Sequence, residues 1–445
     1  MLVHRVSLER LAAGLRRGEL DLLDFVDQVC ERMERVDQEV QAFLPEPGRR
    51  ARLLGEATKL LERWPDPAAR PPLFGVPVGV KDIFHVDGHP TRAGTALPPA
   101  LFAGREAAAV TRLKKAGVLI AGKTVTTEFA HSEPGPTRNP HNPAHTPGGS
   151  SSGSAAAVAC GTCFGALGTQ TIGSVIRPAA FCGVVGFKPS HDRIATAGLV
   201  YFSRSADHVG LFAQDVTAVR LVAKVVCQTW HDDRSIAPGA KPVIGVPVGA
   251  YLEQAGGEAQ AELERQLAAL VRAGYELRRY DAFGDIAAIN HRHRRLTMAE
   301  ASAEHAEWFD AYEASYRPRT AATLREGLTV GPRELARARA SQFELRQTLH
   351  TLMRQEQIDI WACPPAAGPA PLGLESTGDP VMNLPWTHAG LPAITVPAGT
   401  GPGGLPWGLQ LAGAYGHDEQ LLAWAHGIAE VMEEARRGPP ARDHA

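Results

Sequence analysis

Gly75-Val-Pro-Val-Gly-Val-Lys-Asp82 reads as a strand buried on both faces that ends on a lysine. Its run Val76–Val80 is continuously apolar rather than alternating, and the proline-rich breaks Pro65–Pro67 and Pro71–Pro72 stand just before it. Four further runs share this character: Val118–Ala121, Val243–Val248, Ile358–Ala362 and Ile394–Pro397. Helical stretches separate them, and such alternation predicts an α/β architecture with helices on both faces of a sheet. Upstream, Ser7 caps a helix carrying Leu8, Leu11, Ala12 and Leu15, and Leu22, Phe25, Val26, Val29, Met33 and Val36 keep helical spacing in a second one. Residues 1–60 are therefore expected to form a helical arm, and 73–215 the core of the fold. Downstream, 286–356 is long, charged and helical, with Leu335, Phe343, Leu345 and Leu349 as anchors, and is expected to cover a site. All 445 residues are read as one domain, large enough to bury a sizeable core.

Charge narrows the class of partner. With 46 basic and 48 acidic residues the formal charge is −2, which supplies no basic field for nucleic acid, so a small-molecule partner is expected. The clusters Arg49, Arg50, Arg52 and Arg292, Arg294, Arg295 are read as solvated helix faces. Six cysteines scattered through the chain are no disulfide framework and fit a reducing, cytoplasmic setting. Cys160 and Cys163 form a C-x-x-C with no second pair at zinc-site spacing, so they are expected as packed thiols in a core helix. The first residues lack the unbroken apolar segment of a secretory signal, and Ser154–Gly168 is too short and too rich in glycine to span a bilayer. No membrane partner is expected.

Three stretches carry candidate chemistry. Lys81 at a strand end would sit partly desolvated; a free lysine titrates near ~10.4, and burial lowers that by up to ~3–5 units, enough to make a base near neutrality. Pro147-Gly-Gly-Ser-Ser-Ser-Gly-Ser154 holds too many glycines and hydroxyls for a strand or helix interior, and Ser154-Ala-Ala-Ala-Val-Ala starts a helix directly after it. The loop is thus pinned at a helix N-terminus. Gly168-Thr-Gln-Thr-Ile-Gly-Ser-Val-Ile-Arg-Pro-Ala179 offers Ser174, with backbone N–H groups just upstream that can converge on an oxyanion. Each stretch alone carries little.

Together, in this order, the three resemble the amidase signature family. Lys81 and Ser150 are 69 residues apart and Ser150 and Ser174 are 24 apart, spacings similar to those of bacterial members. The likeness extends through Gly122-Lys-Thr124, Gly186-Phe-Lys-Pro189, Asp207-His-Val-Gly210, Gly390-Leu-Pro-Ala-Ile-Thr-Val-Pro397 and Gly404-Leu-Pro-Trp-Gly-Leu-Gln-Leu411. The resemblance implies a single α/β domain with a mixed, mostly parallel central sheet, and hydrolysis of a carboxamide C–N bond to a carboxylate and ammonia or an amine. It implies that Ser174 attacks the amide carbonyl, that Ser150, in a cis peptide, passes the proton to a neutral Lys81, and that Ser151 supports this relay. Backbone N–H groups of Thr171, Ile172 and Gly173 would form the oxyanion hole. It implies no cofactor and no metal, and it suggests a homodimer to which the N-terminal arm contributes.

Two features depart from the family pattern. Ile172 stands where most members have glycine or alanine, and a β-branched residue tolerates left-handed backbone badly, so the loop must keep ordinary angles or be altered. Gln170 and Arg177 replace the commoner aspartate and an arginine one position earlier. With Ser376-Thr-Gly-Asp379 this variant is similar to malonamidase-like members, in which an arginine at the position of Arg177 holds a substrate carboxylate. Arg177 and Gln170 are accordingly the candidate substrate-binding residues, and a small amide bearing a carboxylate is the preferred substrate. An Arg177 that hydrogen-bonds loop carbonyls is the other reading.

Rival functions remain. One is the glutamine-amidase subunit of a tRNA-dependent amidotransferase, whose usual Asp-x-Gly-Gly-Ser-Ile-Arg form is absent here; another is a non-catalytic scaffold disabled at Ile172. Gly149-Ser-Ser-Ser-Gly153 also fits a G-x-S-x-G nucleophile elbow centred on Ser151, but Pro140, Pro143 and Pro147 exclude the strand that must precede one. His141 and His145 stand at i, i+4, and Pro143 between them removes the helix a metal pair would need.

Overall fold

The computed structural model describes residues 1–232 and 239–437. Ten strands among these residues form one sheet: β1 (Pro77–Lys81), β2 (Leu119–Thr124), β3 (Gly165–Gln170), β4 (Val185–Lys188), β5 (His208–Ala213), β6 (Ile244–Pro247), β7 (Leu277–Tyr280), β8 (Ile360–Cys363), β9 (Ala393–Thr400) and β10 (Pro406–Gly413). Their order across the sheet is β2-β1-β3-β5-β4-β9-β10-β8-β6-β7. All five runs predicted as strands are here, as β1, β2, β6, β8 and β9. Helices surround the sheet, so the α/β domain expected from the alternation is the one observed.

Strand direction follows the connections. β1 pairs in parallel with β2 and β3, and β6 with β7 and β8. The helices Ala108–Lys115, Ser152–Cys160 and Gly257–Arg272 make crossovers in these flanks, as parallel pairing requires. Between the flanks, the pairs β3/β5, β5/β4, β4/β9, β9/β10 and β10/β8 are antiparallel. The sheet is mixed, as expected, but it is not mostly parallel: five of the nine pairings among the described residues are antiparallel, and parallel pairing is confined to the two sides. Strands buried on both faces show no alternation from which direction could be read.

The N-terminal helices Leu8–Arg17, Leu22–Val40 and Arg49–Arg63 do not stand off as an arm. Leu11, Leu15, Val26, Met33 and Val36 bury their faces in the main core, together with the strand residues Val78 and Val80. A second cluster gathers Ile176, Tyr251, Phe283, Leu345, Leu349, Trp361 and Trp386. The 286–356 region forms four helices, Ile286–Glu304, Ala306–Tyr312, Pro318–Gly327 and Pro332–Gln355. Of its predicted anchors, Leu345 and Leu349 are buried, whereas Phe343 is 60% exposed. Helical geometry puts Phe343 off the face shared by the i, i+4 pair Leu345 and Leu349. Cys160 ends the helix Ser152–Cys160 and Cys163 lies beyond it, before β3, so the two do not share a helix. Burial pushes both thiols up to about 12. No helix among the described residues is long and apolar enough to cross a membrane.

One consequence of this topology positions the site. Because β1, β2 and β3 run the same way, their C-terminal ends, Lys81, Thr124 and Gln170, lie at one edge of the sheet, where open α/β sheets place their ligands.

Candidate active site

Lys81 ends β1 with no exposed surface, and its Nζ lies 2.7 Å from Ser150 Oγ and 2.8 Å from Thr169 Oγ1. Burial removes water from the ammonium and pulls the lysine down from 10.5 to about 7, against a smaller opposing pull from the Asp207 carboxylate. The amine is therefore available as a base near neutrality. Ser150 is buried on the loop ahead of the helix Ser152–Cys160, and the Gly149–Ser150 peptide is cis. That helix starts hard against β2: a Cβ on Gly153 would stand 2.2 Å from Ala42 O and 2.4 Å from Val125 N. Only glycine lets the helix start come this close to the backbone at Ala42 and Val125.

Ser151 is fully buried and its hydroxyl is committed. Its Oγ accepts from Thr169 N–H and donates to Thr169 C=O, both at 3.2 Å. The β1/β3 register ends at Val80 and Leu167, so Ser151 satisfies the two backbone groups that the next ladder residue would have taken. This sets Thr169 where its side chain meets Lys81. It also leaves no free hydroxyl for a nucleophile elbow centred on Ser151.

Ser174 follows β3 on the turn into the helix Ile176–Cys182 and is half-buried. Its hydroxyl makes no hydrogen bond among the described residues. The structure thus joins Lys81 to Ser150 directly, and does not join Ser150 to Ser174 by a hydrogen bond. Around Ser174 each backbone carbonyl is tied back. Thr171 O accepts from His293 Nε2 at 3.0 Å, Ile172 O from Thr387 Oγ1 at 2.7 Å, and Gly173 O from Arg177 N at 3.1 Å. In a trans peptide the C=O of one residue and the N–H of the next point opposite ways. Pinning these three carbonyls therefore turns the N–H groups of Ile172, Gly173 and Ser174 to the other side. None of these, nor the N–H of Thr171, donates a hydrogen bond among the described residues.

Ile172 keeps ordinary backbone angles, since it is absent from the non-glycine residues with positive φ. Its side chain packs against the second core cluster. Gly173 is constrained instead: a Cβ there would lie 2.2 Å from Asn383 Oδ1 and 3.0 Å from Pro380. Gln170, expected at the substrate, is buried and has both polar atoms occupied. Its Oε1 accepts from Val175 N and Ile176 N, and its Nε2 donates to Thr387 Oγ1. It shapes the turn that carries Ser174 rather than reaching into open space.

Arg177 is buried and serves the loops around it. Nε donates to Thr377 O at 2.7 Å and Nη2 to Gly149 O at 2.7 Å and Thr377 Oγ1 at 3.2 Å. Nη1 is buried with no partner among the described residues. Desolvation lowers the guanidinium to about 10, with a weak opposing influence from Asp379, so it stays charged at neutrality. His141 Nε2 and His145 Nδ1 bond to the carbonyls of Cys182 and Ala370 and are ordinary loop residues.

For several contributors the sequence does not give the role. Thr169 lies inside the Gly168–Ala179 stretch with nothing that marks its contact with Lys81. Asp207 accepts from Thr171 Oγ1, Phe202 N and Ser203 N, and burial raises its carboxyl to about 6. Thr387 and His293 reach the turn from 215 and 122 residues away. Nothing in local spacing marks the contacts these partners make, although the Asp207-His-Val-Gly210 motif and the Gly168–Ala179 stretch point near Asp207 and Thr169, and Thr387 is readable from the sequence as a pocket-lining residue.

Comparison with known proteins agrees with this fold. A family model described as Amidase matches residues 24–422. A glutamyl-tRNA(Gln) amidotransferase subunit of Synechococcus sp. (strain WH7803) is 32% identical, over 96% of this chain and 97% of that protein. A crystal structure of an amidase superposes with a TM-score of 0.84 at 32% identity, covering 96% of this chain and 99% of that one. A chain from a vestigial protein complex that reveals the evolutionary origins of an s-triazine catabolic enzyme superposes with a TM-score of 0.85 at 26% identity, over 97% and 99%.

Proposed function

The chain belongs to the amidase family, and from that premise we propose that it releases ammonia or an amine from a small carboxamide through an acyl-enzyme on Ser174. Hydrolysis of a carboxamide C–N bond is common ground for the family. The observation that carries the assignment of residues is the buried Lys81–Ser150 hydrogen bond beside a turn whose N–H groups are unspent. Ser174 Oγ attacks the carbonyl carbon and gives its proton to Ser150, which passes its own to the neutral Lys81 amine. The carbonyl oxygen, now negative, takes up the free N–H groups of the turn; losing one such donor raises a barrier by about 2.7–4 kcal/mol. Lys81 and Ser150 return the proton to the leaving nitrogen, the C–N bond breaks, and water then cleaves the ester by the same relay. Ser150 must close on Ser174 as substrate binds, since catalytic hydrogen bonds often tighten only in the complex. The ordinary backbone at Ile172 supports an active enzyme over a scaffold.

Arg177 favours an amide that also bears a carboxylate. Its charge is buried, and among the described residues it makes no ion pair and Nη1 has no partner, which a substrate carboxylate would remedy. Its other nitrogens hold the loops, so Arg177→Ala weakens turnover in general, with an acidic amide losing more than a neutral one. Equal loss for both would remove the carboxylate from the proposal. A cytoplasmic, soluble enzyme acting on a small molecule is part of this reading.

A second reading has its own support. The 32% identity to a glutamyl-tRNA(Gln) amidotransferase component spans nearly the whole of both chains, which favours release of ammonia from glutamine within a larger assembly. The Gln170–Arg177 form of the turn speaks for the first reading. An assay of ammonia release from acidic, neutral and aromatic amides and from glutamine, with Ser174→Ala as control, separates them. The purified chain alone is expected to turn over a small amide; turnover only with added partner proteins, tRNA and ATP would favour the second. Failure of a fluorophosphonate to label Ser174 in folded protein would refute both.

A further inference from the structure

Behind the nucleophile turn lies a chain of side chains that the proposed chemistry does not use. His293 (helix Ile286–Glu304), His388 (end of the short helix Leu384–His388) and Ser341 (helix Pro332–Gln355) are all buried. His293 Nε2 is 3.0 Å from Thr171 O, His293 Nδ1 is 3.1 Å from His388 Nδ1, and His388 Nε2 is 2.9 Å from Ser341 Oγ. The adjacent residue, Thr387, holds Ile172 O. Two consecutive residues of one short helix thus secure two consecutive carbonyls of the turn, one directly and one through His293.

Proton accounting along this chain leaves one consistent arrangement of neutral rings. A carbonyl only accepts, so His293 must carry its proton on Nε2, and its Nδ1 is then a lone pair. His388 must therefore present Nδ1–H, which leaves its Nε2 as an acceptor, and Ser341 must donate to it. The hydroxyl has a competing acceptor in Ala338 O at 2.8 Å. Were its proton sent there, His388 would need Nε2–H and two lone pairs would face each other across 3.1 Å. Burial keeps both rings neutral, pulling His293 to about 4 and His388 to about 2.

We propose that Ser341, His388 and His293 are positioning residues that hold the Thr171 carbonyl through a directed Ser341→His388→His293→Thr171 run of hydrogen bonds, and so aim the Ile172 N–H at the substrate oxygen. The fixed tautomers are the device: a ring locked as donor at one end and acceptor at the other transmits the hydroxyl's orientation to the turn. The kinetic consequence rests on the reading of Ser174 as nucleophile; the tautomers do not.

The test has two arms. In long-range proton–nitrogen correlation spectra of the full chain labelled with nitrogen-15 histidine, at neutral pH, His293 is expected as the neutral Nε2–H form and His388 as the neutral Nδ1–H form, assigned by the signals missing from His293→Gln and His388→Gln. His388 found as Nε2–H, or either ring found as an imidazolium, overturns the proposal. In the kinetic arm His293→Leu, which removes the donor, is expected to lower kcat by about 10²-fold with KM little changed, because misplacement by about an ångström has that effect. His293→Gln keeps an N–H for Thr171 O and is expected to recover most of kcat. An unchanged kcat in His293→Leu, or no recovery in His293→Gln, overturns it as well. Wild-type protein with the stated tautomers but no turnover would sink the nucleophile assignment and leave the hydrogen-bond run standing.

Discussion

Lys81→Met tests the base at its root, because it should abolish turnover and stabilise the fold at the same time. Lys81 falls from 10.5 to about 7 on burial. Each unit is 1.36 kcal/mol, so a protonated Lys81 burdens the folded state by about 5 kcal/mol. The sign follows from linkage: with the folded value depressed, the unfolded chain binds more protons between about pH 7 and 10.5, and stability rises with pH across that window. The full burden is present below about pH 7 and gone above about 10.5. Methionine fills similar volume and cannot be protonated, but it strips Ser150 Oγ and Thr169 Oγ1 of a donor, a loss of about 1–3 kcal/mol in all. The variant is therefore expected to exceed wild type by about 2 kcal/mol at pH 7, and that advantage should shrink by about 2 kcal/mol between pH 7 and pH 9. Parallel urea unfolding of the two proteins, followed by tryptophan fluorescence, measures the difference at each pH. A difference that stays flat from pH 7 to pH 9 would mean that Lys81 is not held neutral by burial, and the proton relay would lose its base.

Other consequences are more direct. For wild type, kcat/KM should climb about tenfold per pH unit below about pH 7 and level off above it, as Lys81 sheds its proton; a profile level from pH 5 to 8 would contradict this. Gly173→Ala places a methyl 2.2 Å from Asn383 Oδ1 and should lower kcat by about 10²-fold, with partial recovery in the double variant Gly173→Ala, Asn383→Ala; kcat at saturating amide reads both. Thr387→Val leaves the Ile172 carbonyl and the Gln170 amide unpaired, and is expected to destabilise by about 1–3 kcal/mol in urea unfolding while lowering kcat more than it changes KM. Ser151→Ala strands both backbone groups of Thr169 and should destabilise by a similar amount, yet leave more activity than Ser150→Ala, since Ser151 touches the relay only through Thr169.

Physical reasons separate what could be read from the chain and what could not. Continuous apolar runs bounded by breakers mark buried strands whatever their surroundings, and they were enough for β1, β2, β6, β8 and β9 and for the α/β class. The end of β1 on Lys81, the glycine and serine loop pinned at a helix start, and the Gly173-Ser174 turn are likewise local facts, and their order carried the family resemblance. β3, β4, β5, β7 and β10 were not singled out as strands, because glycine-rich or charged short runs such as Gly165–Gln170 and Leu277–Tyr280 have little propensity of their own. Their pairing partners make them strands. The same holds at the site. Sequence alone put forward Lys81, Ser150 and Ser174 for the proposed chemistry, because a nucleophile, its relay and a base must be particular residue types. Tertiary structure alone decided how they are held: that Ser151 completes a ladder, that Gln170 braces the turn instead of meeting a ligand, that Arg177 clamps two loops, and that Thr387 and His293 pin the carbonyls from more than a hundred residues away. Such roles are fixed by which hydrogen-bonding groups burial leaves unmatched, and that becomes defined only once the chain has closed around them.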